Sequence, residues 1–180
     1  LMRLRPDHKI VEAKQLFCAA RMLIDEGKSK AAIPMLQRAI TFDPKAAYLH
    51  NALAVAYRQE NDPAKALESF TRAATLAPYW SLPRFQIGMS YFLQNQYDKA
   101  ADEFTRAVAL DPSDGISRLM LARSRRGAQN YAQAEKDAQE LLSVKANYAP
   151  AHQELGLIYE ATKQFGKAAD ELETYVRLAP

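Results

Sequence analysis

Apolar residues recur along the chain at the three- and four-residue spacing of amphipathic helices. Leu53, Ala54 and Tyr57 fall on one side of a predicted helix. After it, Asp62–Pro63 supplies an N-cap and a proline at the first helical position, where the missing N–H costs nothing. A second amphipathic stretch follows and ends before Pro78. Its apolar side comprises Ala66, Leu67, Phe70, Ala73 and Ala74. The pattern predicts a pair of antiparallel helices.

The helix-pair pattern recurs five times with a period of 34 residues. The copies span 13–46, 47–80, 81–114, 115–148 and 149–180, after an N-terminal lead-in and helix extension over residues 1–12. One column of equivalent positions holds Ala32, Ala66, Ala100, Ala134 and Ala168. A column of small residues reads Ala20, Ala54, Gly88, Ala122 and Gly156. Two further columns read Leu36, Phe70, Phe104, Ala138, Leu172 and Leu23, Tyr57, Tyr91, Arg125, Tyr159.

The small column has a steric purpose. We expect Gly88 to face Ala100, so that the two helices of a copy approach closely. The larger Phe70 and Tyr91 then fill the gaps between successive pairs. Because no single pair can bury both of its apolar faces, the pairs must stack into a solenoid.

The combined columns resemble the tetratricopeptide repeat (TPR). In the third copy the matching residues are Ile87–Gly88, Tyr91, Ala100, Phe104, Ala107 and Pro112. The resemblance covers about residues 13–180. It implies an all-α fold, a right-handed α-solenoid of stacked antiparallel helix pairs known as a TPR superhelix. We expect ten main helices, the first extended back to an N-cap at about Asp7.

The fourth copy departs from the pattern. Ala138 and Leu141 exchange a large and a small residue one turn apart, which preserves core volume. Arg125 replaces an aromatic residue. We expect its stem to lie along the core while its charge pairs with a carboxylate, the alternative being a slight opening of the solenoid. Asn130 and Gln133 predict a capping box before the second helix.

Composition and charge narrow the function classes. Hydrophobic residues make up 48% of the chain and charged residues 25%, as in ordinary globular proteins. A net charge of +3 argues against a nucleic acid as partner. The single Cys18 excludes a disulfide framework, and we expect it to be a small buried hydrophobe. No apolar run is long enough to span a membrane.

Residue patterns for catalysis or cofactor binding do not occur. The chain has no Gly-rich phosphate loop, zinc helix or nucleophile elbow. His50 and His152 share a column with Leu16, which indicates a role in helix packing. They lie three copies apart, too far to bind one metal ion together. The acidic pairs at 102–103 and 170–171 are expected to be solvated. We therefore predict a non-enzymatic protein with no metal and no cofactor.

The TPR resemblance implies that first helices line a concave groove that binds a peptide or protein segment. Carried onto this sequence, the groove residues are Phe17, Arg21, Tyr48, Asn51, Val55, Arg58, Leu82, Phe85, Met89, Phe92, Leu119, Arg123 and Arg126. The arginines point to carboxylates, because guanidinium binds them bidentately. The expected partner is therefore a protein segment carrying carboxylates around apolar anchors.

The third copy carries a second apolar stripe on its first helix. Leu82, Phe85, Met89 and Phe92 follow spacings of 3, 4 and 3, which places them on one side. Such a stripe is covered by neighbouring copies, by a partner or by self-association. A self-assembling array, or an interaction module of a larger enzyme or secretion complex, is thus the alternative to a peptide-binding scaffold.

The compartment is not defined by the sequence, although a cytoplasmic location is favoured. The chain starts without methionine and stops inside a repeat. We therefore expect an excerpt of a longer protein that lacks its targeting signal.

Overall fold

The computed structural model describes residues 8–179, and these residues form ten helices and no strand. The helices are α1 His8–Asp25, α2 Ser29–Phe42, α3 Ala47–Gln59, α4 Pro63–Leu76, α5 Ser81–Leu93, α6 Tyr97–Leu110, α7 Gly115–Gly127, α8 Tyr131–Val144, α9 Ala149–Ala161 and α10 Phe165–Leu178. The prediction of an all-α helical-repeat solenoid is confirmed. The predicted N-cap at Asp7 lies outside the described residues.

The chain divides into two compact units, one ending at Pro83 and one beginning at Arg84. We call the odd-numbered helices first helices and the even-numbered ones second helices. In the first unit α1 to α4 pack in chain order, and α1 also contacts α3. In the second unit α6 to α10 pack in chain order, and α7 also contacts α9. Within each unit, therefore, neighbouring first helices touch.

Close packing inside a copy joins the small column to the large column. A Cβ atom added at Gly88 would lie 2.8 Å from the ring of Phe104, and one at Gly156 would lie 2.6 Å from Leu172. Phe104 is fully buried. The expectation that Gly88 faces the alanine column is thus replaced by a more specific fit, in which the missing Cβ makes room for a large side chain.

The fourth copy balances its core differently. Ala122 and Ala138 are both fully buried, so a small residue meets a small one where the third copy pairs glycine with phenylalanine. Leu141 is 2% exposed and lies against the start of α7, 3.2 Å from where a Cβ of Gly115 would stand. Both residues are buried, but Ala138 packs with Ala122 and Leu155 whereas Leu141 packs with Leu119 and Ala151, so the predicted compensation of volume between them stays a prediction.

The turn inside each copy uses the left-handed backbone region. Gly27 has a φ of 74°, and the four equivalent residues have φ values between 56° and 62°. They are Asn61, Asn95, Gln129 and Lys163. The next amide reaches back five residues, as Lys28 N–H does to Leu23 O at 2.7 Å, which terminates the helix in a Schellman arrangement. Glutamine and lysine bear a backbone strain there that glycine avoids.

Three local predictions have different outcomes. Asp62 caps α4 by accepting a bond from the Lys65 amide at 3.2 Å, as predicted. The capping box at Asn130 is wrong, because that side chain makes no cap bond. The prediction of a buried Cys18 is also wrong: the thiol is exposed, since it lies about half a helical turn from the buried Ala20.

We expect Gly88→Ala to destabilise the protein. The added methyl group would press into the buried ring of Phe104, and overpacking of this kind costs about 1–3 kcal/mol. Gly166→Ala is the matched control, because nothing lies within 4 Å of its Cβ position and alanine favours helix. Urea unfolding monitored by circular dichroism measures both; equal stabilities would contradict the proposed fit.

Lys163→Gly should stabilise the protein. Left-handed strain of about 1–2 kcal/mol is removed, and the extra freedom of unfolded glycine offsets about half of it. The net gain should be about 0.5–1 kcal/mol. Gly27→Ala is the reverse test: the space around its Cβ position is open, so the stability it is expected to lose measures the cost of the left-handed backbone alone. A thermal midpoint that falls in the first variant would show that the lysine side chain contributes more than its strain costs.

Candidate functional site

In the first unit, the predicted groove residues lie where α1 meets α3. Phe17 and Tyr48 pack edge to face with ring centroids 4.9 Å apart, and Val55 packs against the same core. The Tyr48 hydroxyl and the Asn51 side-chain oxygen Oδ1 are buried and have no hydrogen-bond partner among residues 8–179. Burial raises the pKa of Tyr48. These side chains therefore contribute more to helix packing than to an open surface.

The two arginines of this unit have different surroundings. Arg21 is exposed and lies 3.8 Å from the Asp25 carboxylate, one turn along the same helix. Arg58 lies over the ring of Phe70, with 5.7 Å between its guanidinium carbon and the ring centroid. Partial burial lowers the pKa of Arg58. Arg58 is thus held by cation–π packing.

The apolar stripe of α5 is largely covered within the second unit. Phe85 lies 5.5 Å from Phe104, and Phe92 lies 5.5 Å from Tyr97, measured between ring centroids. Met89 packs against the same buried cluster of α6 and α7. These three side chains are half-buried. Of the three predicted ways of covering the stripe, coverage by neighbouring helices of the array therefore applies to most of its residues. Leu82, which precedes Arg84 and the second unit, is 39% exposed.

Two predicted arginines of α7 share one buried carboxylate on α9. Arg126 Nε donates to Glu154 Oε1 at 2.5 Å and its Nη2 donates to Oε2 at 3.4 Å. Arg123 Nε lies 3.5 Å from Glu154 Oε2. Each arginine side chain is 33% exposed, whereas Glu154 is 1% exposed. Leu119, one turn before Arg123, is buried against Leu141 and so presents no surface to a partner.

The remaining arginines of α7 are paired towards α8. Arg118 Nη1 donates to Glu140 at 2.7 Å. Arg125 Nη1 donates to both oxygens of Asp137, at 2.8 and 2.6 Å. Burial raises the pKa of the Asp137 carboxyl although Arg125 opposes the shift. The prediction that Arg125 pairs with a carboxylate is confirmed.

Within residues 8–179, His, Cys, Asp and Glu side chains form no group of three or more that would hold a metal ion. No helix in this range combines the length and apolar character needed to cross a membrane.

The tetratricopeptide repeat models match residues 19–79, 83–114 and 119–180, which together cover most of the chain. The chain belongs to the tetratricopeptide repeat family. Its TPR fold makes it a protein-interaction scaffold, and scaffolds of this family are generally non-enzymatic. A comparison with curated proteins gave no match.

Solved TPR structures share the fold at low sequence identity. MamA from Desulfovibrio magneticus RS-1 superposes with a TM-score of 0.86 at 17% identity, covering 97% of each chain. PilF from Pseudomonas aeruginosa gives 0.78 at 18% identity, covering 97% of this chain and 79% of the other. YrrB, described as a TPR protein with an unusual peptide-binding site, gives 0.79 at 18% identity, covering 89% and 83%.

In the third and fifth TPR copies, a basic side chain of the first helix pairs with an acidic side chain of the second, which was not predicted from the sequence. Arg84 pairs with Glu103 at 3.1 Å, and the equivalent His152 Nδ1 lies 2.6 Å from Glu171. Glu103 is buried and also pairs with Arg106 at 2.7 Å, so its expected solvation is wrong. The basic and the acidic column are both visible in the sequence at the 34-residue period. Comparing them would have indicated the pairs of the third and fifth copies, whereas in the fourth copy Arg118 pairs with Glu140 and not with the column residue Asp137.

The two equivalent histidines have the predicted structural role. His50 Nε2 lies 3.0 Å from the carbonyl oxygen of Pro44, and His152 Nε2 lies 3.0 Å from that of Ala146. Each ring thus fastens a first helix to the loop that precedes it.

A second coupling explains the unusual fourth TPR copy. Lysine lies over the tyrosine of the aromatic column in three copies, at 5.2–5.5 Å from nitrogen to ring centroid. The pairs are Lys65–Tyr57, Lys99–Tyr91 and Lys167–Tyr159. The fourth copy has Arg125 for tyrosine and Gln133 for lysine. The neutral glutamine avoids the repulsion that a lysine beside Arg125 would create.

Arg126→Gln should lower the free energy of unfolding by about 1–3 kcal/mol. Glu154 would stay buried with only the 3.5 Å contact to Arg123, and an under-compensated buried charge is costly. Arg118→Gln is the matched control: its partner Glu140 is 46% exposed, so about 0–1 kcal/mol is expected. Urea denaturation of both variants tests the difference, and a larger loss in the control would overturn this account of Glu154.

Proposed function

We propose that this TPR array is a non-enzymatic scaffold that binds a peptide or protein segment on the first-helix side of its second unit. We name this surface the α7–α9 face and define it by Ile116, Arg123 and Arg126 of α7 and Leu157 of α9. Ile116 is 57% exposed, and the two arginines are a third exposed. Exposed apolar and basic groups together on touching helices carry the proposal, because they suit a segment with apolar anchors and carboxylates.

The half-buried stripe of α5 extends the apolar character of this unit. Phe85, Met89 and Phe92 are packed on their inner side by α6 and α7, which fixes their positions. A rigid apolar surface loses little conformational entropy when a ligand binds, which favours affinity. Burying one Leu- or Phe-sized side chain of the partner contributes about 1.5–3 kcal/mol.

The use of the acidic groups supports binding over catalysis. Glu103, Asp137 and Glu154 are each committed to an arginine within the unit. A general acid or base must be able to exchange its proton with a substrate, which these paired carboxylates are not placed to do. YrrB, which shares the fold, is described as having a peptide-binding site, which is consistent with a peptide as ligand here.

Selection of peptides from a displayed library of random 12-residue sequences on the full chain tests the proposal. Selected peptides should lose at least about tenfold in affinity for Ile116→Glu and for Leu157→Glu, since each places a charge in the apolar contact. Val144→Glu is the matched control, because Val144 is 76% exposed but lies on the second helix α8. Helix content by circular dichroism confirms that all variants fold.

Two results would overturn the proposal. If the selection yields no peptide, the array does not bind short peptides. If the affinity of the selected peptides falls in Val144→Glu but not in Ile116→Glu or Leu157→Glu, binding lies on another surface. Self-assembly is the competing function, and exposed Phe165 and Val176 on α10, at 65% and 71%, favour it. Light scattering decides between them: a mass that rises with concentration and stays at the monomer value in Val176→Asp would support the self-assembling array.

A further inference from the structure

We propose that Arg123 contacts one carboxylate side chain of the bound segment, and that Glu154 and Arg126 position it to do so. This inference rests on the proposed function of the α7–α9 face and identifies the group that the face selects. In this proposal Arg123 contacts the ligand. Arg126 and Glu154 are positioning residues: the buried Glu154 carboxylate pairs with both arginines.

The charges at this place do not balance. Two guanidinium groups surround one carboxylate, so one positive charge is left uncompensated. The nearest charged position on the same side of α9 is Glu160, which is exposed. Glu160 is the 34-residue equivalent of Arg126, whereas Leu157 is the equivalent of Arg123. By register, therefore, Arg123 lies level with the apolar Leu157 and not with Glu160, and its acidic contact on α9 is Glu154.

Hydrogen bonding divides the two arginines into different roles. Arg126 uses both Nε and Nη2 on Glu154, which fixes its guanidinium plane. Arg123 approaches Glu154 only through Nε, at 3.5 Å. Its two terminal amino groups make no hydrogen bond in the part of the chain that the structure describes. Those amino groups form the edge that binds a carboxylate bidentately.

The burial of Glu154 prevents a simple exchange of partners. At 1% exposure its carboxylate has almost no access to water, so leaving the arginines would strand a buried charge. A ligand carboxylate must therefore add to the cluster and not displace Glu154. Its addition would complete two carboxylates for two guanidinium groups, which is the balanced arrangement.

The neighbouring arginines restrict the ligand to a single acidic group at this point. Arg118 is held by Glu140, and Arg125 is held by both oxygens of Asp137. A nucleic acid needs several cations along its phosphate backbone. One available guanidinium edge, on the same side of α7 as the exposed Ile116 two turns earlier, fits a segment with an acidic and an apolar residue better than a row of phosphates.

The selected peptides provide the test. We expect enrichment of Asp or Glu beside an apolar residue, and we expect replacement of that acid by Asn or Gln to weaken binding about tenfold, as loss of a charged hydrogen bond does. Arg123→Gln should erase the preference for the acidic peptide over its amide counterpart. Arg123→Lys should restore part of it, since the charge remains without the planar fork. Arg118→Gln should leave the preference unchanged.

The outcomes separate the two proposals. Peptides that bind the α7–α9 face without acidic enrichment, or with a preference that Arg123→Gln leaves intact, would overturn the role of Arg123 while the proposed function stands. Loss of preference in Arg118→Gln as well would point to a diffuse basic field and also overturn it. A preference for phosphorylated synthetic versions of these peptides over the acidic ones would overturn a carboxylate as the group that Arg123 contacts. Failure to select any peptide on this face would instead overturn the proposed function.

Discussion

The close approach of the two helices in the third and fifth copies depends on a glycine meeting a large side chain across their contact. Where Gly88 faces Phe104, a single added carbon would lie 2.8 Å from the ring, far inside van der Waals contact. The 34-residue period keeps a small residue at this position of the first helix in every copy, Ala20, Ala54, Gly88, Ala122 and Gly156. The neighbouring first helices then touch within each unit, which brings Arg123 and Arg126 of α7 to Glu154 of α9.

In the fourth copy several residues at the contact between the two helices differ together from the other copies. Two alanines meet where others pair a small residue with a large one, and an arginine occupies the aromatic position. Each change has a partner: Asp137 pairs with Arg125, and Gln133 stands in place of lysine. Restoring the usual residue at one of these positions alone would create a clash at the fully buried Ala138, an unpaired carboxylate at Asp137, or repulsion between Arg125 and a lysine at position 133. Their coordinated exchange keeps the copy in the stack while it changes the charge of α7.

Periodicity predicts the fold well, because helix pairing and stacking depend on local spacing that a sequence displays directly. The ten helices, the cap at Asp62 and the pairing of Arg125 with a carboxylate were all predictable in this way. Burial of single polar residues was harder to predict. Glu103 and Glu154 look like solvated charges, since their partners lie 19 and 28 residues away on other helices. A comparison of columns indicates the Arg84–Glu103 pair, whereas the column of Glu154, which holds Cys18, Ala52, Gln86 and Met120, gives no sign of its pairing.

The pairing of charges also changes the meaning of the predicted groove residues. Considered alone, four arginines on α7 suggest a broadly basic surface suited to many anions. Three carboxylates, Glu140, Asp137 and Glu154, neutralise most of that charge within the unit. The remaining positive charge is confined to Arg123 and Arg126, which share the carboxylate of Glu154. A surface of this kind discriminates by geometry, because a single guanidinium edge beside an apolar side chain accepts a narrow range of groups. If the proposed α7–α9 face binds a segment, its selectivity follows from the neutralisation of Arg118 and Arg125, because two arginines there share the single carboxylate of Glu154.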